Sequence, residues 1–244
     1  MGEAVTSPRH APGLRHAPGL RHAVVTGASS GIGAAIVTRL LDDGWAVTGV
    51  SRSAPDSWRQ DYSHCAFDLA RAGRDDIRAA FAGARPTALI HAAGILRVGA
   101  LGEMDAEVGA AMWRLHVEAA CHMADAIVPA MASGGRIILI GSRVAAGAAQ
   151  RSQYAATKSA LIGLARSWAI ELAPRGITVN VVAPGATETP MLLDPQRVGV
   201  APRLPPIGRF IKPEEVAALT AFLLSEQAGA ITGQQIVVCG GASL

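Results

Sequence analysis

The amino-acid sequence predicts one α/β domain, in which helices cover both faces of a doubly wound, mostly parallel sheet. From Ala23 onward, short apolar runs alternate with longer amphipathic stretches, as expected of strand and helix units. Half of the 244 residues are hydrophobic and 17% are charged, which supplies one sizeable core and argues against a second full domain. The glycines and prolines lie between the periodic segments, where they mark turns.

Seven apolar runs have the length of strands, and four longer stretches have helical periodicity. The predicted strands are residues 23–26, 46–50, 64–67, 88–91, 136–141, 178–182 and 235–238. The predicted helices are residues 32–43, 107–131, 153–173 and 213–224. Pro213 suits the first turn of the last helix, and Glu214 and Glu215 are favourable near the positive end of its dipole. Residues 23–244 are therefore predicted to form the single domain.

The first 22 residues have a different composition, with a direct repeat at residues 9–14 and 15–20. Each copy contains Pro-Gly, so residues 1–22 are predicted to be a disordered N-terminal tail. A metal site formed by the three histidines of this segment is an alternative, but Pro-Gly between them works against a rigid arrangement. An added tag or a misassigned start is a further alternative.

Charge and cysteine content indicate a cytoplasmic protein that acts on a small molecule. The net charge is +3, and the chain has no basic cluster interleaved with aromatic residues, which argues against a nucleic-acid partner. The cysteines Cys65, Cys121 and Cys239 are odd in number and widely spaced, which argues against a disulfide framework and a zinc cluster, so no metal is expected. No apolar run is long enough to span a membrane, and the N-terminus lacks the apolar core of a signal peptide.

A glycine-rich turn at residues 26–33 follows the first predicted strand and leads into the helix that begins near Ile32. Gly27 and Gly31 allow the backbone to turn sharply and to approach a pyrophosphate, and Gly33 allows the helix to pack closely on the sheet. The N-terminus of the helix offers free N–H groups to the anion. The predicted contacts to a dinucleotide here are Gly27, Ser29, Ser30, Gly31, Ile32 and Gly33.

The end of the second predicted strand favours NADP(H), although NAD(H) is possible. Proteins that bind NAD often carry a carboxylate there for the ribose hydroxyl, whereas this chain has Arg52 between two serines. Its guanidinium can bind a 2′-phosphate, and the alternative is a solvated surface arginine. Asp68, followed by Leu69, either accepts a hydrogen bond from the adenine amino group or caps the next segment.

Tyr154 and Lys158 are four residues apart, and this spacing places both side chains on one face of a helix. A free phenol has a pKa of about 10, and each unit by which the lysine lowers it represents about 1.4 kcal/mol of preference for the phenolate. Tyr154 is therefore the predicted general acid and base. Ser142, at the end of the fifth predicted strand, is placed to hold a substrate carbonyl oxygen beside it.

These motifs follow one another in a recognisable order. They are the glycine turn, His91-Ala92-Ala93-Gly94, Ser142, Tyr154-x-x-x-Lys158, and Pro184-Gly185 followed by Thr187 and Thr189. In this order they resemble the short-chain dehydrogenase/reductase family over residues 23–244. The resemblance implies a Rossmann-like, seven-stranded sheet and commonly a homotetramer, with a homodimer as the alternative. It also implies that Lys158 binds the nicotinamide ribose. The other cofactor contacts that the resemblance implies are Ala92, Ala93, Gly94, Pro184, Gly185, Thr187 and Thr189.

The chain departs from the family pattern at three positions. His91 and Ala92 replace the first two residues of an Asn-Asn-Ala-Gly segment, so the contacts of those amides must be supplied otherwise or lost. His116 occupies the position at which many members have an Asn that holds a water behind the lysine. His116 could hold such a water as a catalytic group that titrates near neutrality, or it could be a helix-packing residue with no role in the relay.

The loop at residues 188–211 is expected to cover the substrate, or else to be a connector without selective contacts. The candidate substrate contacts are Leu96, Arg97, Val98, Val144, Gln150, Met191, Leu192, Leu193, Arg197 and Arg203. The expected reaction is hydride transfer between NADP(H) and a ketone or secondary alcohol. Dihydrodiol dehydrogenases and 3-oxoacyl carrier-protein reductases are both similar to the chain. The rival hypothesis is a non-catalytic nucleotide sensor or scaffold, suggested by His91, Ala92 and His116.

Overall fold

Seven parallel strands form one sheet in the computed structural model of the protein, which describes residues 21–54, 59–194 and 201–244. The strands are β1 (His22–Thr26), β2 (Ala46–Ser51), β3 (Tyr62–Ala66), β4 (Ala88–His91), β5 (Arg136–Ile140), β6 (Thr178–Pro184) and β7 (Gln235–Val238). Their order is β3-β2-β1-β4-β5-β6-β7, and every pairing is parallel. The order reverses between β1 and β4, and a ligand crevice is expected beyond the carboxyl ends of the strands at such a point.

Helices cover both faces of the sheet and bury it. They are α1 (Gly31–Asp42), α2 (Arg74–Ala80), α3 (Ala106–Trp113), α4 (Ala119–Ile127), α5 (Ser152–Leu172) and α6 (Pro213–Leu224). Ile137 of β5 belongs to the core formed with α4 and α5, whereas the next residue, Ile138, belongs to the core formed with α1 and α6. Because both faces are buried, the central strands have continuous apolar sequences. The predicted doubly wound α/β fold is confirmed, with a sheet that is wholly rather than mostly parallel.

Several predicted boundaries were wrong by one or two residues. β1 begins at His22, inside the predicted tail, because the backbone of His22 already pairs with β2 and its carbonyl oxygen accepts the N–H of Thr87 (2.8 Å). The third strand is Tyr62–Ala66 rather than residues 64–67, and β6 continues to Pro184. Helix α2 was not predicted, because it has only seven residues and buries one side chain, Ile77. Residues 1–20, which contain most of the predicted tail, lie outside the described residues.

The long helix predicted for residues 107–131 is interrupted. A π-helical segment, Arg114–Glu118, separates α3 from α4, and a 3-10 turn, Val128–Ala130, follows α4. A π bulge adds a residue to one turn, which periodicity alone does not reveal. His116 and Val117 of the π segment are buried.

Within the described residues, no helix combines the length and the apolar character that a membrane crossing would require.

Candidate active site

The glycine turn between β1 and α1 is as tight as its sequence predicts. Gly27 has a φ of +68°, and a Cβ atom there would lie 2.9 Å from the backbone of Ala93. A Cβ atom on Gly33 would lie 2.1 Å from the carbonyl oxygen of Gly27. The turn can therefore be formed only if these positions are glycine.

The N-terminus of α1 fits a phosphate group. The side chain of its N-cap residue, Ser30, makes no capping hydrogen bond, and the first turn has no acidic residue. The first N–H groups of the helix consequently remain available to an anion, which the helix dipole also favours.

A single cleft of about 1340 Å³ extends from this turn across the carboxyl ends of the strands. All the sequence-predicted cofactor and catalytic residues line it, and the structure thus brings them together. They are Gly27, Ser29, Ser30, Gly31, Ile32, Gly33, Arg52, Asp68, Leu69, Ala92, Ala93, Gly94, His116, Ser142, Tyr154, Lys158, Pro184, Gly185, Thr187 and Thr189.

Arg52 lies exposed at the cleft on a short loop after β2. The loop is held by Ser51, whose hydroxyl donates to the carbonyl oxygen of Ser53 (2.9 Å) and is 3.0 Å from Nε2 of His64. Asp68 accepts a hydrogen bond from the N–H of Ala70 (3.1 Å), so it does cap the following turn. This contact occupies one carboxylate oxygen, and a contact of Asp68 with adenine remains a prediction.

Tyr154 and Lys158 lie in the first two turns of α5, and both are buried. The ammonium of Lys158 is 5.8 Å from the centre of the Tyr154 ring and donates to the carbonyl oxygen of Ile140 at the end of β5 (2.9 Å). Burial lowers the pKa of Lys158 from 10.5 to about 8. At neutral pH the lysine is therefore still a cation, close to the phenol.

Ser142 follows β5 and is buried at the start of a 3-10 turn, Arg143–Ala146. Its hydroxyl oxygen accepts a hydrogen bond from the N–H of Val144 (3.2 Å). Since this bond uses a lone pair, the hydroxyl proton can still be donated to a substrate oxygen.

His91, at the end of β4, is 1% exposed and forms hydrogen bonds through both ring nitrogens. Nδ1 is 3.0 Å from the hydroxyl of Thr26, and Nε2 is 3.1 Å from the carbonyl oxygen of Leu115 in the π segment. The Thr26 hydroxyl also accepts the N–H groups of Ala92 and Ala93, at 3.1 Å each. His91 and Thr26 therefore hold the backbone that lines the cleft, by contacts the sequence did not reveal.

His116 is fully buried behind Lys158 and uses both of its ring nitrogens as well. Nε2 accepts the N–H of Ile95 (3.0 Å), and Nδ1 is 2.8 Å from the hydroxyl of Thr157 in α5. The hydroxyl of Thr157 donates to the carbonyl oxygen of Tyr154 (2.8 Å). Sequence reasoning had not identified Thr157, because neither a motif nor helical spacing relates it to His116.

The candidate substrate contacts divide into two groups. Seven line the cleft: Leu96, Arg97, Val144, Gln150, Met191, Leu192 and Arg203. Arg97 forms an ion pair with Asp194 (3.1 Å). Val98 does not line the cleft, and the side chain of Leu193 is directed outward, with 81% of its surface exposed. Arg197, like all of residues 195–200 of the predicted cover loop, lies outside the described residues.

Sequence reasoning also missed part of the cleft wall. Gly241, Ala242 and Leu244 at the C-terminus line it, although they carry no recognisable motif. The described residues contain no group of three or more His, Cys, Asp or Glu side chains arranged to hold a metal ion.

Comparison with known proteins agrees with this geometry. A family model described as enoyl-(acyl carrier protein) reductase matches residues 27–243. The 3-oxoacyl-(acyl-carrier-protein) reductase of Salmonella typhimurium is 37% identical over 242 residues, covering 90% of this chain and 96% of that protein. A short chain dehydrogenase family protein from Francisella tularensis superposes with a TM-score of 0.84 at 26% identity, covering 92% of this chain and 99% of that chain. The chain belongs to the short-chain dehydrogenase/reductase family.

As a short-chain dehydrogenase/reductase, the protein is an NAD(P)-dependent oxidoreductase that acts on CH–OH or C=O groups of a small-molecule substrate. A further solved member of similar structure is a blue fluorescent protein from a metagenomic library in complex with NADPH. It is 32% identical, with a TM-score of 0.80 and coverage of 92% of this chain and 98% of that chain. The family and enzyme predictions are confirmed, and the alternative of a non-catalytic sensor or scaffold is not supported.

Proposed function

We propose that the protein transfers a hydride between NADP(H) and a ketone or secondary alcohol, with Tyr154 as the general acid and base. The observation that carries the proposal is the position of Ser142, Tyr154 and Lys158. All three are buried in the cleft that also contains the glycine turn and the uncapped N-terminus of α1. Proton transfer and dinucleotide binding can therefore occur side by side.

Each catalytic side chain has a defined task in this proposal. The Ser142 hydroxyl donates a hydrogen bond to the carbonyl oxygen and orients it. The Tyr154 phenol gives its proton to that oxygen during reduction and removes it during oxidation. Lys158, held by the carbonyl oxygen of Ile140, stabilises the phenolate form by its positive charge.

The glycine turn, the N–H groups of α1 and the loops after β4 and β6 would hold the dinucleotide, which supplies or accepts the hydride when bound. Arg52 would bind the 2′-phosphate and thereby favour NADP(H) over NAD(H). Its exposed position at the cleft, on a loop ordered by Ser51, supports this assignment. The blue fluorescent protein in complex with NADPH is a relative that binds this cofactor.

We propose a 3-oxoacyl thioester as the substrate class. The support is the 37% identity with 3-oxoacyl-(acyl-carrier-protein) reductase over nearly the whole of both chains. Apolar side chains of Leu96, Val144 and Leu192 line the cleft, which suits an acyl chain. The similarity of residues 92–97 to dihydrodiol dehydrogenases makes a dihydrodiol the competing substrate in the assay.

The test is a substrate panel with NADPH, NADH and their oxidised forms, containing 3-oxoacyl thioesters, simple ketones and dihydrodiols. Tyr154→Phe should lower kcat by roughly 10²-fold to 10⁴-fold, the usual contribution of a general acid or base, with little change in NADPH affinity. Tyr62→Phe is the matched control, since Tyr62 is the other tyrosine and lies outside the cleft. Equal turnover in Tyr154→Phe and the wild type would refute the assignment of Tyr154.

Cofactor preference requires a separate variant. Arg52→Asp should weaken NADPH binding much more than NADH binding, because a carboxylate repels the 2′-phosphate and can accept from a ribose hydroxyl. Arg85→Asp makes the same change of charge at an exposed position outside the cleft and is the control. Equal effects of Arg52→Asp on both cofactors would exclude Arg52 from the site.

We further propose that the enzyme works in the cytoplasm as a homotetramer, or as a homodimer. The cysteines Cys65, Cys121 and Cys239 are all free, which suits a reducing compartment. Trp113 of α3 and Ile170 of α5 are 43% and 77% exposed, and Phe222 of α6 and Val237 of β7 are 44% and 43% exposed. The exposed apolar side chains on α3 and α5 suit one subunit contact surface, and those on α6 and β7 suit a second. Sedimentation of the purified protein would reveal the state, and a monomer would refute the proposal.

A further inference from the structure

Two buried histidines connect three parts of the site that are distant in sequence. His91 reaches from β4 to the π segment, and His116 reaches from the π segment back to Ile95 and across to α5. The backbone between them, residues 92–95, lines the cleft and passes close to Lys158. A Cβ atom on Gly94 would lie 3.2 Å from Nε2 of His116 and 3.5 Å from Nζ of Lys158.

The hydrogen bonds of His116 permit one protonation state. Nε2 receives the N–H of Ile95 at 3.0 Å and must therefore be an unprotonated acceptor. The proton of a neutral ring then lies on Nδ1 and is donated to the hydroxyl of Thr157 at 2.8 Å, and this hydroxyl donates onward to the carbonyl oxygen of Tyr154. A second proton, on Nε2, would point at the N–H of Ile95.

The hydrogen bonds of His91 also define a neutral ring, in the opposite tautomer. The Thr26 oxygen already accepts two backbone N–H groups, from Ala92 and Ala93, so its own proton is donated to Nδ1 of His91. Nε2 of His91 then carries the ring proton and donates it to the carbonyl oxygen of Leu115.

The surrounding charges favour the same states. The ammonium of Lys158 acts on both imidazoles, and each ring is buried. Burial, followed by the charge of Lys158, lowers the pKa of His91 to about 3, and the same two causes lower the pKa of His116 well below its usual value. The ring of Tyr154 meets that of His116 edge to face at 5.7 Å, so a shift of His116 would disturb the phenol directly.

We propose that His91 and His116 are positioning residues, a pair of neutral imidazoles that fixes residues 92–95 and the catalytic helix α5 in one arrangement, and that neither carries a proton in the reaction. Thr157 is the third member, because it transmits the constraint from His116 to the backbone of Tyr154. The inference rests on the proposed role of Tyr154.

Nitrogen NMR of the ring nitrogens tests the protonation states in the intact enzyme. The expected spectrum has His116 as the Nδ1–H tautomer and His91 as the Nε2–H tautomer, both unchanged between about pH 5 and about pH 9. Assignment uses the His91→Asn and His116→Gln variants, each of which removes one set of signals. Titration of His116 within this range, or a His116 ring protonated on Nε2, would overturn the proposal.

Kinetics of matched variants test the positioning role. The glutamine side chain has a carbonyl oxygen that can accept a hydrogen bond and an NH₂ group that can donate, but it does not titrate. The leucine side chain can neither donate nor accept. His116→Gln should retain most of the wild-type kcat. His116→Leu and Thr157→Val should each lower kcat by roughly 10-fold to 100-fold, the range expected when a buried hydrogen-bonding partner is lost. Thr157→Ser, which keeps the hydroxyl, should remain near the wild type.

The two partners should also be coupled. Because His116 and Thr157 act through the same hydrogen bond, the double variant His116→Leu/Thr157→Val should lose little more kcat than either single variant. The pH dependence of kcat/KM should have the same shape in His116→Gln as in the wild type. Additive losses, or a pH limb that disappears in His116→Gln, would contradict the proposal.

These results are separable from a failure of the proposed function. If Tyr154→Phe kept full activity, the general acid and base would be another group, while the tautomers of His91 and His116 would be unaffected. Conversely, the NMR spectra could show that His116 titrates while the kinetics show that Tyr154 is required. The proposed hydride transfer would then stand, and His116 would be a proton carrier rather than a positioning residue.

Discussion

The two ends of the cleft meet their functional requirements in different ways. The glycine turn between β1 and α1 follows the family pattern, whereas the region behind Lys158 departs from it at His91, Ala92 and His116. The turn depends on backbone conformation and on the absence of a Cβ atom, as Gly33 illustrates, and only glycine satisfies that condition. The region behind Lys158 depends on hydrogen-bond donors and acceptors, which several residue types can supply. Sequence variation is therefore more easily tolerated there.

The largest expected effect comes from placing a Cβ atom in the turn. Gly33→Ala would bring a methyl group to 2.1 Å from the carbonyl oxygen of Gly27, so the turn must open. We expect NADPH binding to be lost and the free energy of unfolding to fall by about 3 kcal/mol, as in an overpacked core.

Calorimetric titration with NADPH and chemical denaturation would measure both effects. Gly163→Ala is the control, because Gly163 is exposed in α5 and has no atom within 4 Å of an added Cβ. Alanine there should stabilise the helix by about 0.5–1 kcal/mol. Normal NADPH affinity in Gly33→Ala would show that the turn is less constrained than the structure indicates.

The second prediction concerns acid stability and the two histidines. Their folded pKa values lie below the ordinary value of 6.5. As the pH falls below 6.5, the unfolded chain therefore binds more protons than the folded chain. The stabilisation from the neutral rings is complete above pH 6.5 and is lost progressively toward the folded pKa. Between about pH 7 and about pH 5.5, the wild type should lose stability, because each unfolded ring takes up a proton that the buried folded ring does not bind.

Urea denaturation over this pH range measures the loss. The double variant His91→Asn/His116→Gln should show a shallower dependence, whatever its absolute stability. The same slope in the variant and the wild type would mean that other groups cause the acid sensitivity.

A third prediction separates the stability of the site from its activity. The folded pKa of Lys158 is about 8, against 10.5 for the ordinary amine, so below pH 8 the folded chain bears the cost of a buried cation. Lys158→Met should abolish turnover and raise the free energy of unfolding at pH 7 by on the order of 2 kcal/mol.

The pH dependence of the free energy of unfolding tests whether burial of the Lys158 cation causes this stability difference. The wild type should regain stability as the pH rises from 8 toward 10.5, because the unfolded chain then binds more protons, and the advantage of Lys158→Met should shrink. Measured unfolding curves in which Lys158→Met is less stable at every pH would show that the hydrogen bond to Ile140 outweighs the burial of charge.

The smallest expected effect lies in the loop before α5. Gln150 has a φ of +60°, and it is the one residue other than glycine with positive φ in the described part of the chain. Gln150→Gly should relieve this strain and stabilise the fold by about 1 kcal/mol. Gln150→Ala keeps the strain and should not. Thermal unfolding of the two variants distinguishes the backbone effect from loss of the side chain.

Most of the fold could be predicted from local pattern. The seven strands were located because each is a short apolar run bounded by turn residues, as in residues 88–91. The short helix α2 was missed because a single buried residue, Ile77, produces no detectable period. The break at Arg114–Glu118 was missed because the apolar pattern continues through the π turn.

The candidate site could be predicted only in part. Tyr154 and Lys158 were identified because helical spacing relates them, and the glycine turn because its position between strand and helix is fixed. The partners of His116 could not be predicted, since Ile95 and Thr157 are 21 and 41 residues away along the chain. No local period encodes contacts of that range.

The sequence by itself determined the α/β class, the order of the seven strands along the chain and the cofactor and catalytic residues that line the cleft, because these follow from periodicity, from glycine geometry and from residue spacing. Only the tertiary structure decided which groups surround Lys158, and that both ring nitrogens of His91 and of His116 have partners. The physical reason is that a hydrogen bond depends on the position of two groups in space, and the sequence separation of these groups does not set that position.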